Sequence, residues 1–314
     1  KPDLVASSTF DVPSGSSLDL GGASQAAAAI TGTLVLLQEL NHDGRGPLNY
    51  LASTWKGLLL NTAIDGTKLD HLQRTDDDSL ETPPLFERVP GLLGPTIDAL
   101  NLVGPDPFYG WGMANARAAG DLMLANLRSR SGRCHIGEYV LYDPSDNDID
   151  GDNTVIEIPF QHDSQSPQMK IMICWSDPAY QSSYEEKLTE GVTDPELGPY
   201  DVATTRLVND LNLWVVDPLG VTHRPWVLNA DPLVPAGKGI NSRDNVEQVI
   251  IETPLSGEYT LKVGHLGRLY ATEIVDPSQD PLNSESLDKD YRLESGREQG
   301  FSLIVSGNLV TSFR

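Results

Sequence analysis

The sequence predicts two domains, an α/β domain over residues 1–132 followed by an all-β domain of β-sandwich or jelly-roll type over residues 133–314. Three observations predict this division. Two stretches of the first part place apolar residues at helical spacing: Leu34, Leu36, Leu37 and Leu40, then Leu51, Trp55, Leu58 and Leu59. From Cys134 onward that periodicity gives way to short apolar runs separated by turns. A chain of 314 residues with 39% hydrophobic content is also long enough for two cores.

The first domain opens with Lys1-Pro2-Asp3-Leu4-Val5-Ala6, read as a strand. Gly22-Ala23-Ser24-Gln25-Ala26-Ala27-Ala28-Ala29-Ile30-Thr31-Gly32 then sets a serine among small residues where a loop enters a helix. Glycine permits the tight turn, and a helix N-terminus favours developing negative charge, so a nucleophile is at home there. Read alone, the string equally fits a serine whose hydroxyl caps the helix. The helix continues through Leu40, and a second one spans Leu48 to Ala63, ending in Asn61-Thr62-Ala63. Residues Asp65 to Thr96, with Asp76-Asp77-Asp78 and Pro83-Pro84, read as a long surface excursion. Gly104-Pro105-Asp106 and Tyr109-Gly110-Trp111-Gly112-Met113-Ala114-Asn115-Ala116 form a turn leading into a closing helix.

In the second domain seven runs read as strands: Tyr139–Tyr142, Val155–Phe160, Met169–Trp175, Leu211–Val216, Val246–Glu252, Tyr259–Val263 and Phe301–Val305. Asp217-Pro218-Leu219-Gly220 and Pro254-Leu255-Ser256-Gly257 supply the turn chemistry between them.

The Lys1–Ala6 strand, the Ser24 block, Asn61-Thr62-Ala63 and the Tyr109–Ala116 turn follow one another as in the subtilases, and the first domain resembles the C-terminal part of that family's catalytic domain. Ala23 and Ala28 replace the threonine and proline usual in the family's serine block. Cys174-Trp175-Ser176-Asp177-Pro178, Leu207-Val208-Asn209-Asp210-Leu211-Asn212-Leu213, Asp244-Asn245-Val246-Glu247 and Gly257–Val263 resemble the C-terminal β-barrel of kexin-like alkaline subtilases. The resemblance implies a partial parallel-sheet domain carrying the nucleophile Ser24 of a secreted, calcium-stabilised serine endopeptidase acting on a peptide or protein substrate.

In that family the order is Asp, His, Ser, so both partners of Ser24 belong upstream of Lys1. None of the six histidines, His42, His71, His135, His162, His223 and His265, stands in a His-Gly-Thr setting. The oxyanion-hole asparagine also belongs upstream. Without a base a serine hydroxyl is a poor nucleophile, so the chain alone is expected to be inactive. It reads as a processed fragment still bound to the N-terminal part carrying Asp and His, as a truncation, or as a relative without catalysis. The fragment reading is favoured, because a core strand is an improbable start for an independent domain. A non-catalytic binding or scaffold protein, with the barrel as recognition module, is the alternative function.

Calcium is the expected cofactor. Asp146-Asn147-Asp148-Ile149-Asp150-Gly151-Asp152-Asn153-Thr154-Val155-Ile156-Glu157 fits a twelve-residue calcium loop, with carboxylates at positions 1, 3 and 5, a carbonyl at 7 and Glu157 at 12. Strand-like flanks and Asn153 at position 8 also suit a plain acidic turn. By resemblance to the family barrel, Asp210, Asn212 and Asp244 are further candidates, although a buried aspartate that caps a turn gives the same text.

A formal net charge of −23 argues against nucleic acid, whose phosphates require Lys and Arg. No apolar run is long enough to span a membrane, and no signal peptide is visible, as expected if the true N-terminus lies upstream. Cys134 and Cys174 are expected either to pair or to stand as buried thiols. Zinc and nucleotide motifs are absent from the sequence.

Overall fold

The computed structural model describes residues 2–6, 9–11, 17–19, 22–44, 49–65, 104–107, 109–128, 134–143, 155–163, 168–178, 207–229, 234–266, 269–274, 291–294, 298–307 and 309. Contacts divide the chain into two units, one of Lys1–Leu48, Leu58–Leu127 and Trp226–Lys238, the other of Asn49–Gly57, Arg128–Pro225 and Gly239–Arg314.

In the first unit a short hairpin, β1 (Thr9–Asp11) with β2 (Ser17–Asp19), precedes helix α1 (Ala23–Asp43). Helix α2 (Ala52–Thr62) contributes its last residues to this unit, and α3 (Ala116–Arg128) follows. Asn115 starts α3 by accepting the Ala118 N–H on its side-chain oxygen at 3.0 Å, a helix N-cap. Helix α1 buries Leu37 and Asn41 and lies close to Gly120 of α3, where an added Cβ would meet Leu40 at 3.3 Å and Leu37 at 3.7 Å. Its other side leaves Val35 and Leu36 more than half exposed.

Val5 forms a parallel bridge with Met113, and Met113 bridges Ile64 in the antiparallel sense. Three extended segments are thereby zipped by Val5 N–H to Gly112 O at 3.0 Å, Ala114 N–H to Val5 O at 2.9 Å and Met113 N–H to Ile64 O at 2.8 Å. The parallel pairing expected for Lys1–Ala6 is present as this one bridge, and every named sheet among the described residues is antiparallel. The reason is local, since the described residues supply Val5 with a single neighbour running in its own direction. A second hairpin, β8 (Trp226–Val227) with β9 (Gly237–Lys238), sets the Lys238 ammonium 3.3 Å from the Trp226 ring centroid.

The second unit is built on two four-stranded antiparallel sheets. Its strands are β3 (Cys134–Tyr142), β4 (Ile156–His162), β5 (Met169–Trp175), β6 (Asp210–Val216), β7 (Thr222–His223), β10 (Val246–Ile251), β11 (Gly257–Leu266) and β14 (Glu298–Ser306). One sheet has the order β10-β5-β14-β3 and the other β4-β11-β6-β7. Ile171, Ile173, Val249, Phe301, Leu303 and Val305 of the first sheet share one core with Ile158, Phe160, Leu213, Val215, Leu261 and Val263 of the second. This is a two-layer sandwich, and no closed barrel occurs among the described residues. All seven runs read as strands overlap named strands, with Val155 and Glu252 each falling one residue outside. A separate hairpin, β12 (Ala271–Ile274) with β13 (Tyr291–Glu294), was not foreseen; it lies in a stretch without clear alternation.

From Ile171 to Trp175, strand β5 reads as a continuous apolar run because both faces of its sheet are covered. Ile171 and Ile173 face the shared core, while Met172 and Cys174 are fully buried on the opposite face. Asn49–Gly57 covers that second face. Ser53 Oγ lies 2.7 Å from Ser302 Oγ, Thr54 Oγ1 lies 2.8 Å from it, and Glu138 Oε1 accepts the Leu51 N–H at 2.7 Å. Gly57 makes the close approach possible, since a Cβ there would stand 2.5 Å from Ile304 Cδ1 and 3.3 Å from Cys174 Cβ.

Cys134 and Cys174 are buried thiols that form no disulfide, which settles the pairing question left open by the sequence. Cys134 pairs in register with Ser306 and Cys174 with Ser302, on opposite sides of β14 and four positions apart along it. That separation exceeds the reach of a disulfide. Burial pushes the Cys134 thiol up to about 11, so it stays protonated at neutral pH.

Next to it, His135 Nε2 lies 2.8 Å from the Tyr139 hydroxyl, and Tyr139 stacks on Phe301 with ring centroids 5.7 Å apart. Burial pushes the imidazole down from 6.5 to about 4. The unfolded chain then binds the proton more readily, so this contribution is complete above about pH 6.5 and is lost as pH falls toward 4. It amounts to roughly 3 kcal/mol at most. His135→Gln keeps a partner for Tyr139 and is expected to flatten the decline of Tm across that window; an unaltered pH slope would refute the assignment.

Candidate functional site

Ser24 occupies the second position of α1, in its first turn, with its side chain exposed. Gly22 is the N-cap, at φ 102° and ψ 163°, and no side chain caps the helix by a hydrogen bond. The capping alternative for Ser24 is therefore not realised. The glycine accepts the left-handed backbone that turns the chain into the helix, and the serine hydroxyl stands beside first-turn N–H groups that have no partner within the helix ladder. Such a turn can hold a nucleophile and stabilise an oxyanion next to it.

A base must come from elsewhere. His42 is the one described histidine of the first unit, and it sits in the last turn of α1, about 27 Å along the helix from Ser24 at 1.5 Å per residue. It pairs weakly with its neighbour Asp43 at 3.6 Å, both side chains being largely exposed. His71 lies outside the described residues.

Of the predicted metal ligands, Asp146, Asp148, Asp150 and Asp152 lie outside the described residues. Glu157 is exposed on β4, and its Oε1 accepts a 2.6 Å hydrogen bond from Lys262 Nζ on β11. Asp210 and Asn212 lie together at the start of β6, both buried, with Asn212 Nδ2 3.4 Å from Asp210 Oδ1 and 3.4 Å from its backbone oxygen. Asp244 is only partly buried and lies 3.4 Å from Asn241 Nδ2.

Two acids that the sequence reading did not single out join this group. Asp177, just after β5, accepts the N–H groups of Val208 at 2.7 Å and Asn209 at 2.8 Å. Glu247 of β10 is fully buried, and its Oε2 accepts the N–H of Leu213 on β6. Their signal was present in the text, because an acid inside the apolar run Val246–Ile251 must either be paired or stay protonated. Burial is the first cause that pushes Asp177 up to about 6 and Asp210 up to about 8, and it raises Glu247 well above the carboxylate range. The charge of Asp177 further raises Asp210, and that of Asp210 further raises Glu247. Asp210 Oδ2 and Glu247 Oε1 are shielded from solvent and have no hydrogen-bond partner.

Among the described residues no group of three or more His, Cys, Asp or Glu side chains is placed to hold a metal ion. The donors that do fit a hard cation are the two orphaned carboxylate oxygens, which a cation could satisfy and a hydrophobic neighbour could not. Also among the described residues, no helix is long and apolar enough to cross a membrane.

No family model matches the chain, and no characterised protein sequence does. Among solved structures, a Bacillus licheniformis lipase in propeptide form matches at 10% identity and a TM-score of 0.25, over 63% of this chain and 30% of that one. The Aeromonas sobria serine protease in complex with its chaperone matches at 12% identity and a TM-score of 0.23, over 91% and 44%. The serine protease of Aeromonas sobria by itself gives 14% identity and a TM-score of 0.20, over 91% and 44%. The chain thus spans less than half the length of each of these proteins, and likenesses at this level carry no functional argument.

Proposed function

We propose that the chain is the C-terminal portion of a secreted, calcium-stabilised subtilisin-like serine endopeptidase. The observation that carries the reading is Ser24, exposed on the first turn of α1 behind the left-handed Gly22. Supporting it is the pairing of Val5 with Gly112 and Ala114, which joins two of the segments on which the family resemblance rests.

In this reading Ser24 Oγ attacks the scissile carbonyl of a peptide or protein substrate. A histidine from the upstream part of the protease takes its proton and an aspartate there orients the imidazole. The first-turn N–H of Ser24 contributes to the oxyanion site. The protein partner is that upstream part, which brings the two missing members of the triad. Calcium, held by the Asp146–Glu157 loop and by the group around Asp210, Asn212 and Asp244, would neutralise carboxylates that otherwise repel one another.

A fluorophosphonate probe applied to the complete protease tests the enzyme assignment. Labelling mapped to Ser24 is expected, and a folded, calcium-loaded sample that stays unlabelled would reject it in favour of a binding or scaffold role. The metal assignment predicts a Tm that falls when a chelator is added, because a ligand bound only by the native state must raise stability. An unchanged Tm would remove calcium from the reading.

A further inference from the structure

We infer that one end of the sandwich docks peripherally on a zwitterionic lipid surface, inserting Leu219, Val221 and Leu255 and setting Arg224 against the headgroup phosphates. These four residues take no part in the serine or calcium assignments above, so lipid binding stands or falls apart from both.

The apolar tip comes from two turns. Leu219, 76% exposed, is the most exposed large apolar side chain among the described residues, and Val221 at 52% shares its turn between β6 and β7. Leu255, 43% exposed, stands on the turn between β10 and β11. The two turns touch, because Pro218 packs against Gly257, where a Cβ would stand 2.8 Å from Pro218 Cγ. Both are held by internal hydrogen bonds. Asp217 Oδ1 accepts the N–H groups of Leu219 and Val221 at 2.9 Å each, and Leu255 O accepts the Tyr259 hydroxyl at 3.0 Å. A backbone fixed in this way presents its apolar side chains to a partner with little further ordering to be done. Clustered exposed apolar groups of this kind mark an interaction surface.

Behind the tip lies an aromatic and cationic belt. Trp214 pairs in register with Lys262 of β11 and stands three residues before Asp217, about 10 Å along the strand at 3.3 Å per residue. Arg224 follows His223, which pairs with Val215, and its guanidinium lies over the Trp214 ring, 5.5 Å from the centroid. Among the described residues no ion pair involves Arg224, whose field reaches the buried Glu247 from a distance, whereas Lys262 is already paired with Glu157. Interfacial elements bury their apolar side about 5–10 Å deep. A belt one such depth behind the tip therefore meets the headgroup layer, where tryptophan is at home and a planar guanidinium pairs with phosphate.

Charge selects the kind of lipid. Glu252 and Glu258 flank the Leu255 turn, both exposed and bonded only to the neutral amides of Gln168 and Gln161. With a formal net charge of −23 besides, the chain is repelled by anionic headgroups, while phosphocholine offers Arg224 a phosphate without net negative charge.

Co-sedimentation of the full chain with phosphatidylcholine vesicles tests this, comparing wild type with Leu219→Asp, Leu255→Asp and Arg224→Gln. Wild type is expected to sediment with the vesicles, the two aspartate variants to lower the bound fraction about fivefold or more, and Arg224→Gln about threefold. Leu219→Asp should keep the wild-type Tm, since its side chain lies in solvent. Replacing part of the phosphatidylcholine by phosphatidylserine should weaken binding. A wild type that stays in solution, aspartate variants that bind as wild type does, or binding that strengthens with phosphatidylserine would overturn the assignment. Self-association of the lipid-free chain that Leu219→Asp abolishes would also overturn it, giving the tip to a second copy instead.

Discussion

If Ser24 is the nucleophile of the proposed endopeptidase, Ser24→Ala in the complete protein is expected to lower kcat/KM by roughly 10⁴-fold or more while leaving the Tm within about a degree of wild type. The size of the loss follows from the role, because removing a nucleophile leaves only oxyanion and binding contributions to catalysis. The unaffected stability follows from the structure. Ser24 is exposed, it is not the N-cap of α1, and alanine is the better helix former at that position. The combination separates a chemical role from a structural one: full activity in the alanine variant would sink the nucleophile, and a large fall in Tm would show that the hydroxyl holds the fold.

Gly112→Ala carries the largest expected cost in stability, about 3–5 kcal/mol. Gly112 lies at φ +118°, and a Cβ there would stand 2.1 Å from the Ile64 carbonyl oxygen and 2.6 Å from its carbon. Backbone cannot step aside as a flexible side chain can. The Ile64 oxygen is itself fixed, since it accepts the Met113 N–H at 2.8 Å, and Gly112 O accepts the Val5 N–H at 3.0 Å. The substitution therefore pries apart the three segments that position Pro2–Ala6. Gly220→Ala is the control, with φ +81° and nothing within 4 Å of the added methyl, so only backbone strain of about 1 kcal/mol should register. Equal Tm shifts in the two variants would show that the Ile64 contact is not the cause.

Much of the fold was legible because its periodicities are strong. Leu34 to Leu40 announces α1, and Met169–Trp175 coincides residue for residue with β5. The short pairs β7, β8 and β9 were not legible, since two residues carry no period. The covering of the β5 sheet by Asn49–Gly57 was equally hidden. Nothing local in Ser53, Thr54 or Gly57 says that Ser302 and Ile304, some 250 residues on, are their neighbours.

The candidate site divides in the same way. Ser24 was readable from its setting among glycines and alanines, and the structure adds that the hydroxyl is exposed and free of the capping role. Asp210 was named by resemblance as a metal candidate, and the structure adds that it is buried with one oxygen unpartnered, a state that Glu247, read as part of a strand, turns out to share. Glu157, placed at the twelfth position of an acidic loop, is met in the structure by Lys262, because the antiparallel register of β4 and β11 sets the two residues side by side.

By itself the sequence determined the order of elements, the change from helix to strand near Cys134, the acidic balance of −23 and the small-residue turn that holds Ser24. These are written in neighbouring residues, through spacing, turn chemistry and charge. Only the tertiary structure decided that the two cysteines stand apart, that the second unit is an open two-sheet sandwich, and that Asp210 and Glu247 are each buried with one carboxylate oxygen lacking a hydrogen-bond partner. Such outcomes depend on strand register and on which faces are covered. Both are set by contacts between residues far apart in the chain, where no local pattern reaches.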